Sequence, residues 1–304
     1  MSFALHRVTF LLRRKSQLYP HSKWFSTVGI KSLTNTFCSE PDLVKIVSND
    51  LVLKENFITD EEESNLIAEL DSVLLRRKYQ TEHWDYAIKD FRELERRNWK
   101  TINQPVIHRL KTLTVDSLSS NKTTVTDSID QLVLPLVHVL DLAESGEIMP
   151  HVDSVKFCGD SVTVLSLLSD CILRLAIAPQ SDVVGIPENQ SDYLHSLTLP
   201  SIGTWIDVFI PRRSVYVMRR ALRYLCTHAI LSNAEVGRMH QEHESVGLYS
   251  VSPRGRRVSV ICRTHANDDL IPFYNNNNDN NSNTTTNKDN PVAVDEQSSL
   301  KAKT

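Results

Sequence analysis

The chain has 304 residues, 40% of them hydrophobic, and a formal net charge of −3. That is enough apolar material for a domain-sized core. The longest apolar run, residues 132–137, is far too short to cross a bilayer, so no membrane insertion is expected.

Residues 1–39 carry six basic side chains, Arg7, Arg13, Arg14, Lys15, Lys23 and Lys31, and no acid; Glu40 is the first. Ser and Thr are interspersed, and Phe3, Leu5, Phe10, Leu11 and Leu12 add an apolar component. Basic, Ser-rich and acid-free is the composition of a mitochondrial transit peptide, and the segment is read as a disordered leader. A basic arm is the plainer alternative. A secretory signal is disfavoured because Arg13, Arg14 and Lys15 interrupt the apolar run. Six of the 34 basic residues lie here, which leaves 28 against 37 acidic ones and a net charge of −9 for the rest. So acidic a body argues against strong non-specific binding to nucleic acid, which needs a dense basic footprint.

Residues 40–270 are read as one folded domain. Thr59 followed by Asp60, Glu61, Glu62 and Glu63 is a helix start, a capping side chain and then carboxylates at the positive end of the dipole. Leu66, Ile67, Leu70, Val73 and Leu74 recur at helical spacing behind it. Residues 79–99 are dense in large side chains, with Arg92, Arg96 and Arg97 among Tyr79, His83, Trp84, Tyr86, Phe91 and Trp99. Aromatics among bases can stack nucleic-acid bases. Glu82, Asp85, Asp90, Glu93 and Glu95 cancel the charge, so the segment reads as a packed cover with a solvated edge. A second amphipathic helix follows, with Ile102, Val106, Ile107 and Leu110 inward.

From residue 131 the texture changes to short β-rich runs between turn residues: 132–142, 162–168, 172–177, 205–210, 214–218 and 258–263. That succession suggests a sandwich or jelly roll. Residues 179–200, with Pro179, Gly185, Pro187 and Pro200, read as a long, mobile, polar connection. Residues 271–304 are an Asn-rich tail expected to be disordered. The cysteines, Cys38, Cys158, Cys171, Cys226 and Cys262, form no C-x-x-C pair. Their odd number suits free thiols in a reducing compartment, and each reads as a small buried hydrophobe.

The chemistry concentrates at Pro150-His151-Val152-Asp153. Residues two apart on a strand share a face, and Pro150 restricts Met149 towards extended backbone. A His-x-Asp pair alone is common by chance. A second His from a distant strand would complete two imidazoles and a carboxylate on one side of a metal, the donor set of non-haem Fe(II) oxygenases. Spacing leaves that His open. His228 follows the apolar-supported stretch 221–227, His240 and His243 lie in a polar run before the last strand, and His195 in the polar connection is the weakest choice. Beyond them Arg257, on the last strand, offers a planar fork for the far carboxylate of a 2-oxoglutarate.

His151-Val152-Asp153-Ser154-Val155-Lys156-Phe157-Cys158-Gly159 and Arg254-Gly255-Arg256-Arg257-Val258-Ser259-Val260-Ile261-Cys262-Arg263 resemble the AlkB-homologue 2-oxoglutarate dioxygenases, above all their mitochondrial branch. So do His83-Trp84-Asp85-Tyr86-Ala87-Ile88, Phe91-Arg92-Glu93 and Val137-His138-Val139-Leu140-Asp141-Leu142. The resemblance covers roughly residues 50–265 and leaves out 179–200, which looks like an insertion. It implies a double-stranded β-helix, or jelly roll, mainly β with N-terminal helices packed on one sheet. It implies iron ligands His151, Asp153 and His228, selecting His228 over His240 and His243. It also implies cosubstrate contacts at Tyr216, Arg257 and Arg263, the two arginines lying six apart on one strand face. Fe(II), 2-oxoglutarate and O2 would be the cofactor and cosubstrates.

The implied function is hydroxylation of a protein or small metabolite in the mitochondrial matrix, in regulation such as fatty-acid metabolism or cell death, by a monomer. RNA or DNA demethylation, and a weakly catalytic sensor of oxygen or 2-oxoglutarate, are the alternatives. Nucleic-acid-repairing members carry Asn-x-Tyr on the strand before the His-x-Asp. The matching residues here are Leu140-Asp141-Leu142, which makes that side of the oxoglutarate pocket more apolar and weighs against base demethylation.

Overall fold

The computed structural model describes residues 36–38, 40–118, 129–242 and 253–266. The expected leader up to residue 35, the Asn-rich tail and His243 lie outside the described residues.

Strand β5 (Val137–His151) organises the architecture. Its first half pairs with β11 (Arg257–Arg263), setting Leu142 against Arg257 and His138 against Ile261. Its far end pairs with β10 (Cys226–Ile230), setting His151 against His228. The strand therefore leaves one sheet and enters another. From β5 and β11 the first sheet continues through β6 (Ser161–Leu167) and β9 (Val215–Arg219). From β5 and β10 the second continues through β7 (Cys171–Ile177) and β8 (Trp205–Ile210). Every pairing is antiparallel, and the chain crosses repeatedly between the two sheets, as in a double-stranded β-helix. Short edge strands extend both sheets: β2 (Leu51–Lys54) beside β9, and β1 (Thr36–Cys38) beside β8. The hairpin of β3 (Gln80–Glu82) and β4 (Ile88–Arg96) lines the other edge of β5.

The bend in β5 needs Gly146. A Cβ there would stand 2.7 Å from the Asp90 carbonyl oxygen, where β4 bulges and Asp90 takes φ +48°. The buried Arg254 guanidinium holds the bend by donating to the carbonyls of Ala143 (3.0 Å) and Gly146 (2.5 Å).

Alternation along the strands divides the core. Leu140, Leu142, Val162, Val164, Leu173, Leu175, Ile206, Val208, Tyr216 and Met218 pack between the sheets. Val137, Val139, Leu165, Leu167, Val215, Val217, Val258 and Val260 face outward. Helices α2 (Asp60–Leu74) and α3 (Gln104–Asp116) cover that outer face with Leu66, Leu70, Leu74, Val106 and Leu110. Each such side chain stabilises by about 1.5–3 kcal/mol. The expected cap is present: Thr59 accepts from the Glu62 N–H and the Glu62 carboxylate accepts from the Thr59 N–H. Glu62 also accepts twice from Arg109, tying α2 to α3.

Several expectations are corrected. The strand placed at 132–142 begins only at Val137 and continues to His151; residues Ile129–Leu132 form the short helix α4. The aromatic segment 79–99 is largely the β3–β4 hairpin, with Phe91 and Trp99 buried but Trp84 and Tyr86 exposed. Thr36–Cys38 pair with β8, so the folded body reaches into the segment read as leader. Helix α1 (Pro41–Asp50) was too short to stand out, and buries Leu43, Ile46 and Val47. Residues 179–200 contain a 3-10 turn (Gln180–Asp182) and helix α5 (Glu188–His195), because Val183, Ile186, Tyr193, Leu194 and Leu197 pack against the core. Leu194 is buried, and the Tyr193 hydroxyl donates to the buried Asp50 at 2.8 Å. No helix among the described residues is long and apolar enough to cross a membrane.

Candidate metal and cosubstrate site

His151 ends β5, and Asp153 lies just beyond it in the loop leading to β6. The two do not share a strand, as their spacing suggested; Asp153 sits in irregular chain between the end of β5 and a turn at residues 155–157. Across the β5–β10 pairing stands His228. The Nε2 of His151 is 3.7 Å from Asp153 Oδ1, and the Nε2 of His228 is 3.9 Å from Oδ2. One donor atom from each residue lies within 4.8 Å of the others. The His151 Nδ1 is 2.8 Å from the Met149 carbonyl, which accepts its proton and leaves Nε2 as the lone-pair nitrogen facing Asp153.

The electrostatics suit cation binding. Burial and the neighbouring His151 push His228 down to about 3, so its ring is neutral. Burial would raise Asp153, but His228 and His151 outweigh it and hold the carboxyl well below its ordinary range. Burial would lower His151, but the Asp153 carboxylate raises it.

Arg223 fixes the loop that carries Asp153. Its buried guanidinium donates to the carbonyls of Asp153 (2.8 Å), Cys158 (2.6 Å) and Gly159 (2.8 Å). The sequence marks this Arg, with His228, only as resembling the family's distal-ligand segment, and gives it no contacts, because nothing local marks an Arg as buried. It belongs to helix α6 (Ala221–Tyr224), immediately before β10.

Further inside, Arg257 is 1% exposed. Its Nε donates to the Ser166 hydroxyl at 3.0 Å, and its charge faces Tyr216, whose phenol burial pushes up to about 12. Its Nη2 is buried without a partner. Leaving a charged donor unpaired inside a protein is costly, so the geometry calls for an anion there. Arg263, at the other end of β11, places Nη2 2.5 Å from His138 Nδ1, and its charge bears on His228. The intervening wall includes Leu140 and Leu142, both buried. Of the other histidines, His195 ends α5 beside Ser191, and His240 falls in helix α7 (Asn233–Glu242). Cys158, Cys171, Cys226 and Cys262 are buried free thiols; burial pushes Cys158 to about 11 and Cys226 and Cys262 to about 12, so these three stay protonated.

The chain is 35% identical over 216 residues to "Alpha-ketoglutarate-dependent dioxygenase alkB homolog 7, mitochondrial" of Mus musculus, covering 71% of this chain and 79% of that one. The protein of the same name in Bos taurus is 33% identical over 213 residues, covering 70% and 77%. The chain belongs to the AlkB-homologue family of alpha-ketoglutarate-dependent dioxygenases. No protein-family model matches this AlkB homologue. Among solved structures it resembles that of OsALKBH1, at 12% identity and TM-score 0.44 over 70% of this chain and 97% of the other. A Pseudomonas putida prolyl-4-hydroxylase matches at 11% identity and TM-score 0.42, over 74% and 97%. Scores this low add nothing to the strand register described above.

As a family member the AlkB homologue is a 2-oxoglutarate-dependent dioxygenase. Its interior holds the His151, Asp153 and His228 cluster together with the buried Arg257 and Tyr216.

Proposed function

We propose that this AlkB homologue is an Fe(II)-dependent oxygenase of the mitochondrial matrix that hydroxylates a protein side chain or a small metabolite. The observation that carries the reading is the pairing of a His-Asp-His cluster with a buried arginine that has an unsatisfied donor. The donor set fits Fe(II): two imidazoles, one of them held neutral, and one ionised carboxylate. Iron, when bound, supplies the redox chemistry that couples 2-oxoglutarate decarboxylation to oxidation of a second substrate.

The protein's residues do the rest. His151, Asp153 and His228 would hold the metal, each offering one ligand atom. Arg257 takes the far carboxylate of 2-oxoglutarate with the nitrogen left unpaired by Ser166, and Tyr216 walls the same end. Arg263 adds positive charge nearer the metal. Leu140 and Leu142 keep water from the cosubstrate on a third side. These two apolar residues and the acidic body favour a protein or metabolite over a nucleic acid. The acid-free leader composition and the relatives named as mitochondrial support the compartment.

The test is succinate release from 2-oxoglutarate with Fe(II) and O2, wild type against Asp153→Ala, with mass spectrometry of mitochondrial extract for substrates gaining one oxygen. Decarboxylation undiminished in Asp153→Ala overturns the assignment. Repair of methylated bases without any protein or metabolite product overturns the substrate class.

A further inference from the structure

His138 lies on β5, between Arg263 of β11 and Glu93 of β4. Its Nδ1 is 2.5 Å from Arg263 Nη2, and its Nε2 is 2.9 Å from Glu93 Oε2 on β4. A guanidinium nitrogen can only donate. Nδ1 therefore accepts, the ring is neutral, and its proton sits on Nε2, where the Glu93 carboxylate accepts it. The series continues outward: His83 Nε2 stands 3.7 Å from the other Glu93 oxygen, and His83 Nδ1 is 2.6 Å from Asp85. Inward, the Arg263 charge bears on His228 as well as on Glu93.

We propose that His138, oriented by Glu93, is a positioning residue that aims the Arg263 guanidinium at the cosubstrate. This inference rests on the cosubstrate reading given above. The choice of a neutral acceptor has a physical reason. A carboxylate bonded directly to Arg263 would neutralise it and compete with the cosubstrate's own carboxylate. With an imidazole interposed, Glu93 fixes the tautomer from one ring away, and the full charge of Arg263 stays available. A long side chain bearing several donors otherwise samples many rotamers, and binding would have to order it.

The experiment measures 2-oxoglutarate affinity by calorimetry with Mn(II) in place of iron, in the full chain. Asn places its side-chain oxygen where the His Nδ1 lies, so His138→Asn keeps the acceptor; His138→Leu removes it. His138→Asn is expected within about threefold of wild type, and His138→Leu about tenfold weaker or more. The double variant His138→Leu with Arg263→Gln is expected to bind no more weakly than Arg263→Gln alone. Wild-type affinity in His138→Leu, or losses that multiply in the double variant, overturns the proposal. A second readout involves no cosubstrate: the Arg263 side-chain N–H resonance should be sharp in wild type and His138→Asn and broadened in His138→Leu. If wild type shows that contrast yet does not bind 2-oxoglutarate, the cosubstrate reading fails and the positioning of Arg263 stands. Should His138→Leu not fold, Glu93→Met against Glu93→Gln gives the same comparison at a part-exposed strand position. Equal affinities in that pair then overturn the proposal.

Discussion

His228 stands opposite His151 across the β5–β10 pairing, with the ring centroids 4.2 Å apart. Main-chain hydrogen bonds set that separation, so the two imidazoles are brought together before any metal arrives. Preorganisation of this kind lowers the cost of binding. Removing one ring leaves the strand pairing intact. His228→Ala should therefore fold with a wild-type circular dichroism spectrum. It should lose Fe(II) or Mn(II) affinity by more than the roughly 10–100-fold typical of an outer-sphere partner. Isothermal titration with Mn(II) checks this, and undiminished binding would remove His228 from the ligand set.

Arg257 and Ser166 define the far end of the pocket. Arg257→Lys keeps a charge but loses the planar fork and the bond to Ser166. The expected result is an apparent KM for 2-oxoglutarate raised about tenfold or more, with a smaller change in kcat. Ser166→Ala should move the same parameter less. A KM for 2-oxoglutarate that Arg257→Lys does not change would show that the carboxylate is anchored elsewhere.

Arg223 reaches Asp153, Cys158 and Gly159 through their carbonyls, so it holds the loop by its backbone rather than by a side-chain partner. Arg223→Met fills much of the same volume but leaves those carbonyls without donors. Unpaired buried acceptors cost about 1–3 kcal/mol each, and the loop is expected to open rather than bear that cost. Hydrogen exchange in residues 153–159 should accelerate more than in β6 or β11. Protection equal to wild type across the loop would assign its order to another contact.

How far the sequence was legible depends on where each signal lay. The capping box at Thr59 and Glu62 and the apolar runs of β8 and β11 are local, and both could be read from neighbouring residues. Strand β4 could not. Its Lys89, Asp90, Arg92, Glu93, Glu95 and Arg96 look solvated, yet Arg92 is 6% exposed because its Nε donates to the buried Asp141 at 2.7 Å. A charge whose partner lies on another strand hides a strand's periodicity. The site divides in the same way. His151 and Asp153 were visible as a pair, although the end of the strand between them was not. Spacing alone did not settle His228 against His240 and His243, since its place depends on pairing with β5. His138, Glu93 and Arg223 lie in stretches that resemble the family, but their partners are remote in sequence, so no local pattern shows what each of them bonds.

Glu93 also supplies a pH signature. Its hydrogen bond from His138, against the opposing effect of burial, holds its carboxyl below the ordinary 4.5. For an acid whose folded pKa is depressed, the unfolded chain binds the proton more tightly. The resulting stabilisation is fully present above 4.5 and is lost as pH falls through the lower, folded value. Glu93→Gln cannot titrate and lacks that term. The stability difference between wild type and Glu93→Gln, read from urea unfolding, should therefore be constant from pH 7 to about pH 5 and shrink below 4.5. A difference that stays flat down to pH 3 would mean that the His138 bond does not bias Glu93 towards its ionised form.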